Sequence, residues 1–482
     1  METIPVIPDP VSLLASMRAV GYSVEAAIAD LVDNSISASA ARIDIKYDAS
    51  DFPFIAILDN GRGMGPAELT NAMRLGSQDP GNERHPDDLG RFGLGLKTAS
   101  LSQCRCFTVV SKKSGMISAR CWDLDTIERL HEWRVVVPDS EQLASLPLMT
   151  KLEQCESGTL VVWQDLDRLV AGARNPQQEM TTKLSPLFEH LALVFHRYSA
   201  GEGGNTAIEI YVNSRKVPAR DPYLRGNSFR QPLEGQVIRH ERGDVLVTPV
   251  ILPPVSHLNA DEIEVAGGRD GLRGTQGFYV YRNRRLVIWG TWFRLVPKDE
   301  FYKLTRVQVD IPNSFDDLWA LDIKKSAAYP PDAIRARLKD LIPHFAGVSR
   351  RTITHPGRKT GPKDFTALWQ RIEPTHGAFR YEINSEHPAV KALSSRLTPA
   401  DQGSLQALLG LVGDSLPFES IYADMSSDTH SSNSAGNLAA LVEMAEELMT
   451  LTGFDVDQVL QIDPLIRYEH LHSKIKAELT IG

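Results

Sequence analysis

Two short stretches of the chain hold polar side chains at spacings that suit the binding of a small ligand. Within residues 27–35 (AIADLVDNS), Asp30 and Asn34 are four positions apart and would lie on one face of a helix. Within residues 54–64 (FIAILDNGRGM), an apolar run ends at Asp59, as a strand does at a glycine-containing turn. A carboxylate at a strand end, followed by glycines that let another group approach the backbone, indicates a ligand site.

A third stretch is a glycine-rich loop that leads into a helix. Residues 90–100 (GRFGLGLKTAS) would offer backbone N–H groups and the positive end of a helix to a phosphate chain. A polar run at residues 76–88 (GSQDPGNERHPDD) precedes this loop. Because a loop of this length without apolar residues is usually functional or disordered, we expect it to act as a mobile lid.

The spacing of apolar residues predicts the elements that carry these stretches. Helices are predicted within 9–40 and at 67–75, 96–103 and 179–197. Strands are predicted at 41–47, 53–59, 106–111, 116–122, 132–137 and 157–163, with a surface insertion at 139–153. A second group of strands follows at 208–212, 237–240, 245–252, 277–281, 286–288 and 306–311, with a hairpin turn at Asn283 and Arg284. A Pro/Gly-rich basic linker at 354–363 precedes a strand at 379–383 and helices at 388–396, 403–412 and 436–451.

Length and composition bound the class of protein. A chain of 482 residues is long enough for two to four domains. Its net charge of -9 argues against a protein that coats nucleic acid with its whole surface, although a local basic patch is compatible with it. The four cysteines fit no zinc pattern, and no signal peptide or long apolar run is visible. We therefore expect a cytoplasmic protein with reduced thiols and no membrane contact.

The order of the motifs resembles that of the GHKL ATPases, a superfamily that includes gyrase B subunits, heat-shock chaperones, histidine kinases and MutL. The stretches LVDNS, DNGRGM and GRFGLGLK, followed by Gly158-Thr159, are most similar to the MORC-like and MutL-like branch. The resemblance implies an α/β fold with a Bergerat-type sandwich, a mixed sheet backed by helices, over residues 1–200. A transducer-like α+β domain is then expected at 201–345, a linker at 346–364, and a mainly helical C-terminal domain at 365–482.

The resemblance also implies an ATP–Mg²⁺ site. Asp59 would accept a hydrogen bond from the adenine amino group, and Thr159 would support the same end of the nucleotide. Asn34 would coordinate Mg²⁺, a hard cation that prefers oxygen ligands, and Lys97 would lie near the phosphates as a point charge. The full nucleotide-binding set implied is Asn34, Asp59, Gly61, Gly63, Met64, Gly90, Gly93, Leu94, Gly95, Lys97 and Thr159.

Asp30 would be the general base for the hydrolysis of ATP to ADP and phosphate, and here the chain departs from the superfamily, which usually has glutamate. Aspartate is one methylene shorter, and a misplacement of about 1 Å can cost about 100-fold in rate. We therefore expect slow hydrolysis, with an ATP-binding switch without turnover as the alternative. Lys324 or Lys325, at the end of a predicted strand, would reach the γ-phosphate as a second catalytic group.

Two functions from different classes fit these residues. No phosphoacceptor coiled coil, gyrase-type acidic metal motif or MutL-type nuclease motif is recognisable, which favours a MORC-like homodimer that closes on ATP and acts on DNA. The resemblance places such a protein with others of a defence or DNA-modification system. The basic hairpin of Arg282, Arg284 and Arg285 and the segment 350–363 would contact phosphates, or be a charged tip and a solvated linker. The alternative is a chaperone-like or regulatory ATP switch that acts on a protein partner without nucleic-acid contact.

Overall fold

The structure is a computed structural model that describes most of the chain. The described residues are 3–4, 8–19, 21–76, 95–202, 206–315, 318–319, 329–354, 366–375, 378–418, 420–421 and 438–481. The chain divides into two compact units: the first comprises residues 1–252, 260–297 and 305–342, and the second 253–259, 298–304 and 343–482. The domain boundaries predicted near 200, 345 and 364 stay predictions.

Seven strands form the first sheet of the first unit. They are β1 (Arg42–Asp48), β2 (Phe54–Asp59), β3 (Cys106–Lys113), β4 (Met116–Asp123), β5 (Gly158–Gln164), β6 (Glu209–Val212) and β7 (Arg215–Lys216). Their order is β4-β3-β5-β2-β1-β6-β7. Strands β1 and β6 run parallel and the other neighbours antiparallel. The predicted mixed sheet is therefore confirmed.

Helices accompany this sheet in the first unit. They are α1 (Pro10–Arg18), α2 (Val24–Ser37), α3 (Pro66–Met73), α4 (Gly95–Leu101), α5 (Leu124–Leu130), α6 (Ser140–Ala144), α7 (Met149–Gln154), α8 (Pro176–Leu184), α9 (Leu187–Val194) and α10 (His196–Ser199). Helix α2 begins where the Ser23 hydroxyl accepts a hydrogen bond from the N–H of Ala26. Its residues Ile28 and Leu31 pack in one core with Ile45 of β1. Full burial of each such side chain favours folding by about 2 kcal/mol.

Helix α2 is buried around most of its circumference. Between Ala27 and Asp33 every residue is buried, and Asp30 and Asp33 are among them. A buried carboxylate needs hydrogen bonds or a charged partner. The partners of these two residues therefore decide how the helix is held.

A second sheet also belongs to the first unit. Its strands are β8 (Gln231–Pro232), β9 (Gln236–Ile238), β10 (Val245–Ile251), β11 (Gly277–Arg282), β12 (Arg285–Thr291) and β13 (Thr305–Ile311). The order is β12-β11-β13-β10-β8, with β9 beside β10. Strands β11 and β12 are joined by Asn283 and Arg284, whose φ angles are 48° and 66°. Two successive positive φ angles are those of a type I′ turn, so the predicted hairpin is confirmed.

The remaining elements follow in the chain. The helices are α11 (Ala260–Gly267), α12 (Gly271–Gly274), α13 (Asp332–Thr354), α14 (Pro388–Ser394), α15 (Pro399–Asp414), α16 (Leu438–Thr452), α17 (Val456–Val459) and α18 (His472–Ile481). Strands β14 (Trp369–Thr375) and β15 (Ala378–Ile383) form an antiparallel pair in the second unit. Leu441, Val459, Leu465 and Ile475 are buried in one core of that unit. The C-terminal region is mainly helical, as predicted.

Two local predictions differ from the structure, and a third segment gains detail. The strand predicted at 132–137 is reduced to one bridge between Cys121 and Val136. The helix predicted at 179–197 is three helices, α8 to α10, and Pro186 lies at the first of the two breaks. The insertion at 139–153 contains two short helices. Within the part of the chain that the structure describes, no helix has both the length and the apolar character that crossing a membrane requires.

Candidate active site

Asp59 is a buried carboxylate at the end of β2, where the sequence predicts it. The Ser35 hydroxyl donates a hydrogen bond of 3.0 Å to Oδ2, and the N–H of Gly61 donates one of 2.9 Å to Oδ1. Burial raises the pKa of Asp59 to about 6, against the hydrogen bonds from Gly61, Ser35 and the N–H of Thr159, which lower it. The structure thus holds a partly desolvated acceptor in a fixed orientation.

Three neighbouring strands place polar side chains in one row across the apolar sheet. Asp59 on β2 is opposite Thr159 on β5, and Thr159 is opposite Ser111 on β3. The hydroxyls of Ser111 and Thr159 are 3.0 Å apart, and Ser111 also accepts a hydrogen bond of 2.8 Å from the N–H of Met64. Ser111 is absent from the predicted site. Its sequence signal is weak, a hydroxyl at the end of the run 106–111 (CFTVVS), which contains a second hydroxyl at Thr108.

Glycines of the DNGRG stretch are required by the fold itself. Gly63 has a φ of +64°, and a Cβ atom there would lie 2.0 Å from the carbonyl oxygen of Lys112. A Cβ atom on Gly61 would lie 2.7 Å from the carbonyl oxygen of Ala38. The predicted role of Gly61 and Gly63, close approach of a ligand, is untested. Close approach of the chain to itself already excludes a side chain at Gly63.

Asp30 and Asn34 lie one helical turn apart on α2 but differ in exposure. Asp30 is buried, whereas Asn34 is exposed. Asn34 therefore presents an amide oxygen to solvent at the helix end that also carries Ser35. Asp30 lies deeper and interacts with other side chains of the first unit.

Asp30 and Asp33 share one arginine from the second sheet. The Nε atom of Arg285, on β12, is 2.6 Å from Oδ2 of Asp33, and its Nη2 atom is 3.5 Å from Oδ1 of Asp30. All three side chains are buried. The sequence gives no sign of this contact, because Arg285 and Asp33 are 252 positions apart.

The two alternatives predicted for the basic hairpin, a phosphate contact or a solvated charged tip, are wrong for two of its three arginines. Arg282 and Arg285 are each only 6% exposed, so neither a phosphate contact nor a solvated tip describes them. Arg284 is half-buried, and its guanidinium lies 4.8 Å from the ring centroid of Tyr198. Arg282 and Arg285 of the hairpin therefore lie in the interior of the first unit.

Tyr22 is a second partner of Asp30 that sequence reasoning missed. Burial, and then the Asp30 carboxylate with which its hydroxyl is hydrogen-bonded, raise the pKa of Tyr22 above its usual range. The hydroxyl therefore stays protonated and can donate to Asp30. Its position directly after Gly21, where the first predicted helix ends, gives no chemical signal.

Lys97 lies in the first turn of α4, which begins at Gly95. Its side chain is buried, and its ammonium donates a hydrogen bond of 3.0 Å to the carbonyl oxygen of Ala72. Burial lowers the pKa of Lys97 to about 8. Gly90, Gly93, Leu94, Lys324 and Lys325 lie outside the described residues, and so does most of the predicted lid.

The donor set near α2 fits a cation that takes few protein ligands. No group of three or more metal-binding side chains occurs among the described residues. An exposed amide oxygen from Asn34 is compatible with Mg²⁺, which keeps several waters and otherwise binds phosphate oxygens. Asn34 would be the residue that holds the ion.

Residues 22–159 match the family of histidine kinase-, DNA gyrase B- and HSP90-like ATPases. This range contains Tyr22, Asp30, Asn34, Asp59 and Thr159 and covers most of the first sheet. The chain therefore carries a domain of the GHKL superfamily, as its motifs predict.

The chain is similar to proteins of the two branches named above. It is 35% identical to ATPase MORC2B of Mus musculus over 203 residues, 40% of this chain and 19% of that protein. It is 34% identical to ATPase morc-1 of Caenorhabditis elegans over 94 residues, 19% of this chain and 11% of that protein. DNA mismatch repair protein MutL of Herminiimonas arsenicoxydans is 26% identical over 132 residues, 26% of this chain and 21% of MutL. The chain thus spans about a fifth or less of the length of these relatives.

Among solved structures, the N-terminal domain of a DNA repair protein superposes with a TM-score of 0.42 at 17% sequence identity, covering 68% of this chain and 94% of that one. A score this low shows neither family nor function.

Proposed function

We propose that this chain binds ATP with Mg²⁺ and hydrolyses the ATP slowly to ADP and phosphate. The observation that carries the proposal is the hydrogen bonding of Asp59. An ionised carboxylate can accept about four hydrogen bonds, and among the described residues Asp59 accepts three, from Ser35, Gly61 and Thr159. A further acceptor position of Asp59 would receive the amino group of adenine, which guanine lacks at the corresponding position.

Asp30 is the general base of the proposed reaction. Its carboxylate takes up the proton of the attacking water, and Tyr22 and Arg285 hold it from the protein side. Bound Mg²⁺ would neutralise charge on the phosphates, with Asn34 as its protein ligand. Because aspartate is one methylene shorter than the usual glutamate, its distance to the water is less favourable and turnover is slow.

The catalytic part of this proposal is tested by phosphate release from Mg-ATP at saturating nucleotide. We expect the wild-type chain to release phosphate and Asp30→Asn to release none, while both bind a non-hydrolysable ATP analogue with similar affinity. Asp30→Asn keeps the shape of the side chain and removes its basicity. Equal turnover in the two proteins would remove Asp30 from its role.

We further propose that ATP closes a homodimer of this chain on DNA, within a defence or DNA-modification system. This part is supported by similarity to a DNA mismatch repair protein and to MORC ATPases. The burial of Arg282 and Arg285 removes two of the DNA contacts that the sequence suggested, and residues 355–363 of the other suggested contact, the basic segment 350–363, lie outside the described residues. That burial favours the second candidate, an ATP switch whose client is a protein.

Double-stranded DNA distinguishes the two candidates. Phosphate release would be measured with and without DNA at low salt, with Asp30→Asn as the control for contaminating ATPases. Stimulation by DNA that falls as salt rises supports the first candidate, because phosphate contacts release counterions. A rate indifferent to DNA, and no shift of DNA mobility, support a protein client. Mass in solution with and without the ATP analogue tests dimerisation.

A further inference from the structure

We propose that Arg285 is a positioning residue for Asp30, through which the second sheet takes part in ATP hydrolysis. The proposal rests on the role of Asp30 as the general base. Arg285 itself does not bind nucleotide in this account. It fixes the direction in which the Asp30 carboxylate points.

The anchor of Arg285 is Asp33. Its Nε atom lies 2.6 and 2.8 Å from the two carboxylate oxygens of Asp33, whereas Nη2 lies 3.5 Å from Asp30. A guanidinium is planar, so fixing Nε against Asp33 also fixes where Nη2 points. Asp33, three residues after Asp30 on α2, therefore sets the position of the Arg285 guanidinium that Asp30 faces.

The backbone of Arg285 is also fixed. Arg285 is the first residue of β12 and directly follows the type I′ turn. Its Nη1 atom donates to the carbonyl oxygen of Leu286 at 3.3 Å, and its guanidinium lies 5.8 Å from the ring centroid of Phe195. A movement of the β11–β12 hairpin would therefore carry the guanidinium away from Asp30.

The contact matters because Asp30 is a short side chain in a buried position. Its carboxylate rotates about only two bonds, and its partners from the first unit include Tyr22 and Arg285. Loss of Arg285 removes one of the groups that direct the carboxylate, and a displacement of about 1 Å is enough to slow hydrolysis about 100-fold. Binding of ATP, which involves Asp59 and Asn34, would be little changed.

A purely structural role is the competing explanation. Removing one partner of a buried ion pair is strongly destabilising in itself. Arg285→Ala would therefore not distinguish a positioning role from a structural one. Two other variants leave Asp33 without an unpaired buried charge, and Asp30 keeps its hydrogen bond to Tyr22 in both. The double variant Arg285→Gln with Asp33→Asn replaces the ion pair by two amides, and Arg285→Lys keeps the charge beside Asp33 without the fork that reaches Asp30.

The experiment compares these variants with the wild-type chain in melting temperature, in affinity for a non-hydrolysable ATP analogue and in kcat. Arg18→Lys is the matched control. Arg18 is equally buried, and its guanidinium pairs with Asp167 at a distance of 2.7 Å instead of with Asp30. We expect kcat to fall about tenfold or more in both Arg285 variants, with analogue affinity within about twofold of wild type. Arg18→Lys should leave kcat unchanged at a similar loss of stability.

Folded Arg285 variants that bind the analogue and hydrolyse ATP at the wild-type rate would overturn the positioning role and leave the proposed ATPase intact. A wild-type chain that binds ATP and releases no phosphate would overturn the proposed hydrolysis, and this role with it.

Discussion

The hydroxyl of Ser35, on α2, donates a hydrogen bond of 3.0 Å to the carboxylate of Asp59, the last residue of β2. This bond joins the two stretches that carry most of the predicted chemistry. It also places Asn34, the neighbour of Ser35, at the end of the helix nearest to the strand end. The predicted adenine and metal ends of the site are thus connected through one side chain.

The pKa of Asp59 makes stability depend on pH. Because burial raises the pKa of Asp59 from its ordinary value of 3.8 to about 6, its charge is disfavoured in the folded state. The free-energy cost of burying the ionised carboxylate is absent below pH 4 and grows between pH 4 and 6. Above pH 6 it is complete and lowers the free energy of unfolding by about 3 kcal/mol.

Asp59→Asn removes that charge and keeps the shape. We expect the variant to be more stable than wild type at pH 7.5 without nucleotide, with a difference that shrinks towards pH 4. Denaturant unfolding at several pH values measures this. A difference independent of pH would contradict the burial of an ionisable Asp59.

Gly63→Ala should destabilise the protein even without nucleotide. The φ of +64° and the carbonyl oxygen of Lys112, 2.0 Å from the new Cβ, force the backbone to move, and we expect a loss of about 3 kcal/mol or more. Gly65→Ala is the control, since its Cβ would have Glu68 as its nearest neighbour at 3.6 Å. Equal melting temperatures for the two variants would show that Gly63 is not constrained by the fold.

Binding of ATP should take up a proton near pH 9 through Lys97. In the fold its pKa is lowered to about 8, so the side chain is mostly neutral at pH 9. Phosphates close to it would favour the charged form and raise the pKa again. Titration calorimetry in buffers of different ionisation enthalpy measures the uptake, and Lys97→Met should abolish it. Binding without proton uptake in the wild-type chain would place Lys97 away from the phosphates.

Asp30→Glu tests why hydrolysis is expected to be slow. If the missing methylene limits the rate, the longer side chain brings the carboxylate towards the water, and kcat should rise about tenfold. The affinity for a non-hydrolysable analogue should not change. A lower kcat with intact binding would mean that the surroundings of Asp30, Tyr22 and Arg285 among them, are built for aspartate.

The elements that the sequence predicts best are those formed by residues close together in the chain. Helix α2, the end of β2 and the β11–β12 turn each depend on short-range patterns, and all three lie where the patterns predict. The order of motifs was enough to identify the GHKL domain. The roles of the individual site residues stay predictions.

Contacts between distant parts of the chain were not predictable. Ser111 meets Thr159 because β3 pairs with β5 and not with β2, an order that periodicity does not encode. From sequence, Arg285 is expected at the surface, because charged side chains usually lie there. Its burial follows from the way the hairpin packs against α2 and α9, which only the assembled unit shows.

The central claim is that ATP binds at Asp59, and titration calorimetry of a non-hydrolysable ATP analogue with Mg²⁺ tests it most directly. The account predicts saturable one-to-one binding to the wild-type chain, at least tenfold weaker binding to Asp59→Asn, and weak binding of the corresponding GTP analogue. Equal affinity of the wild-type chain and a folded Asp59→Asn variant for the ATP analogue would contradict it.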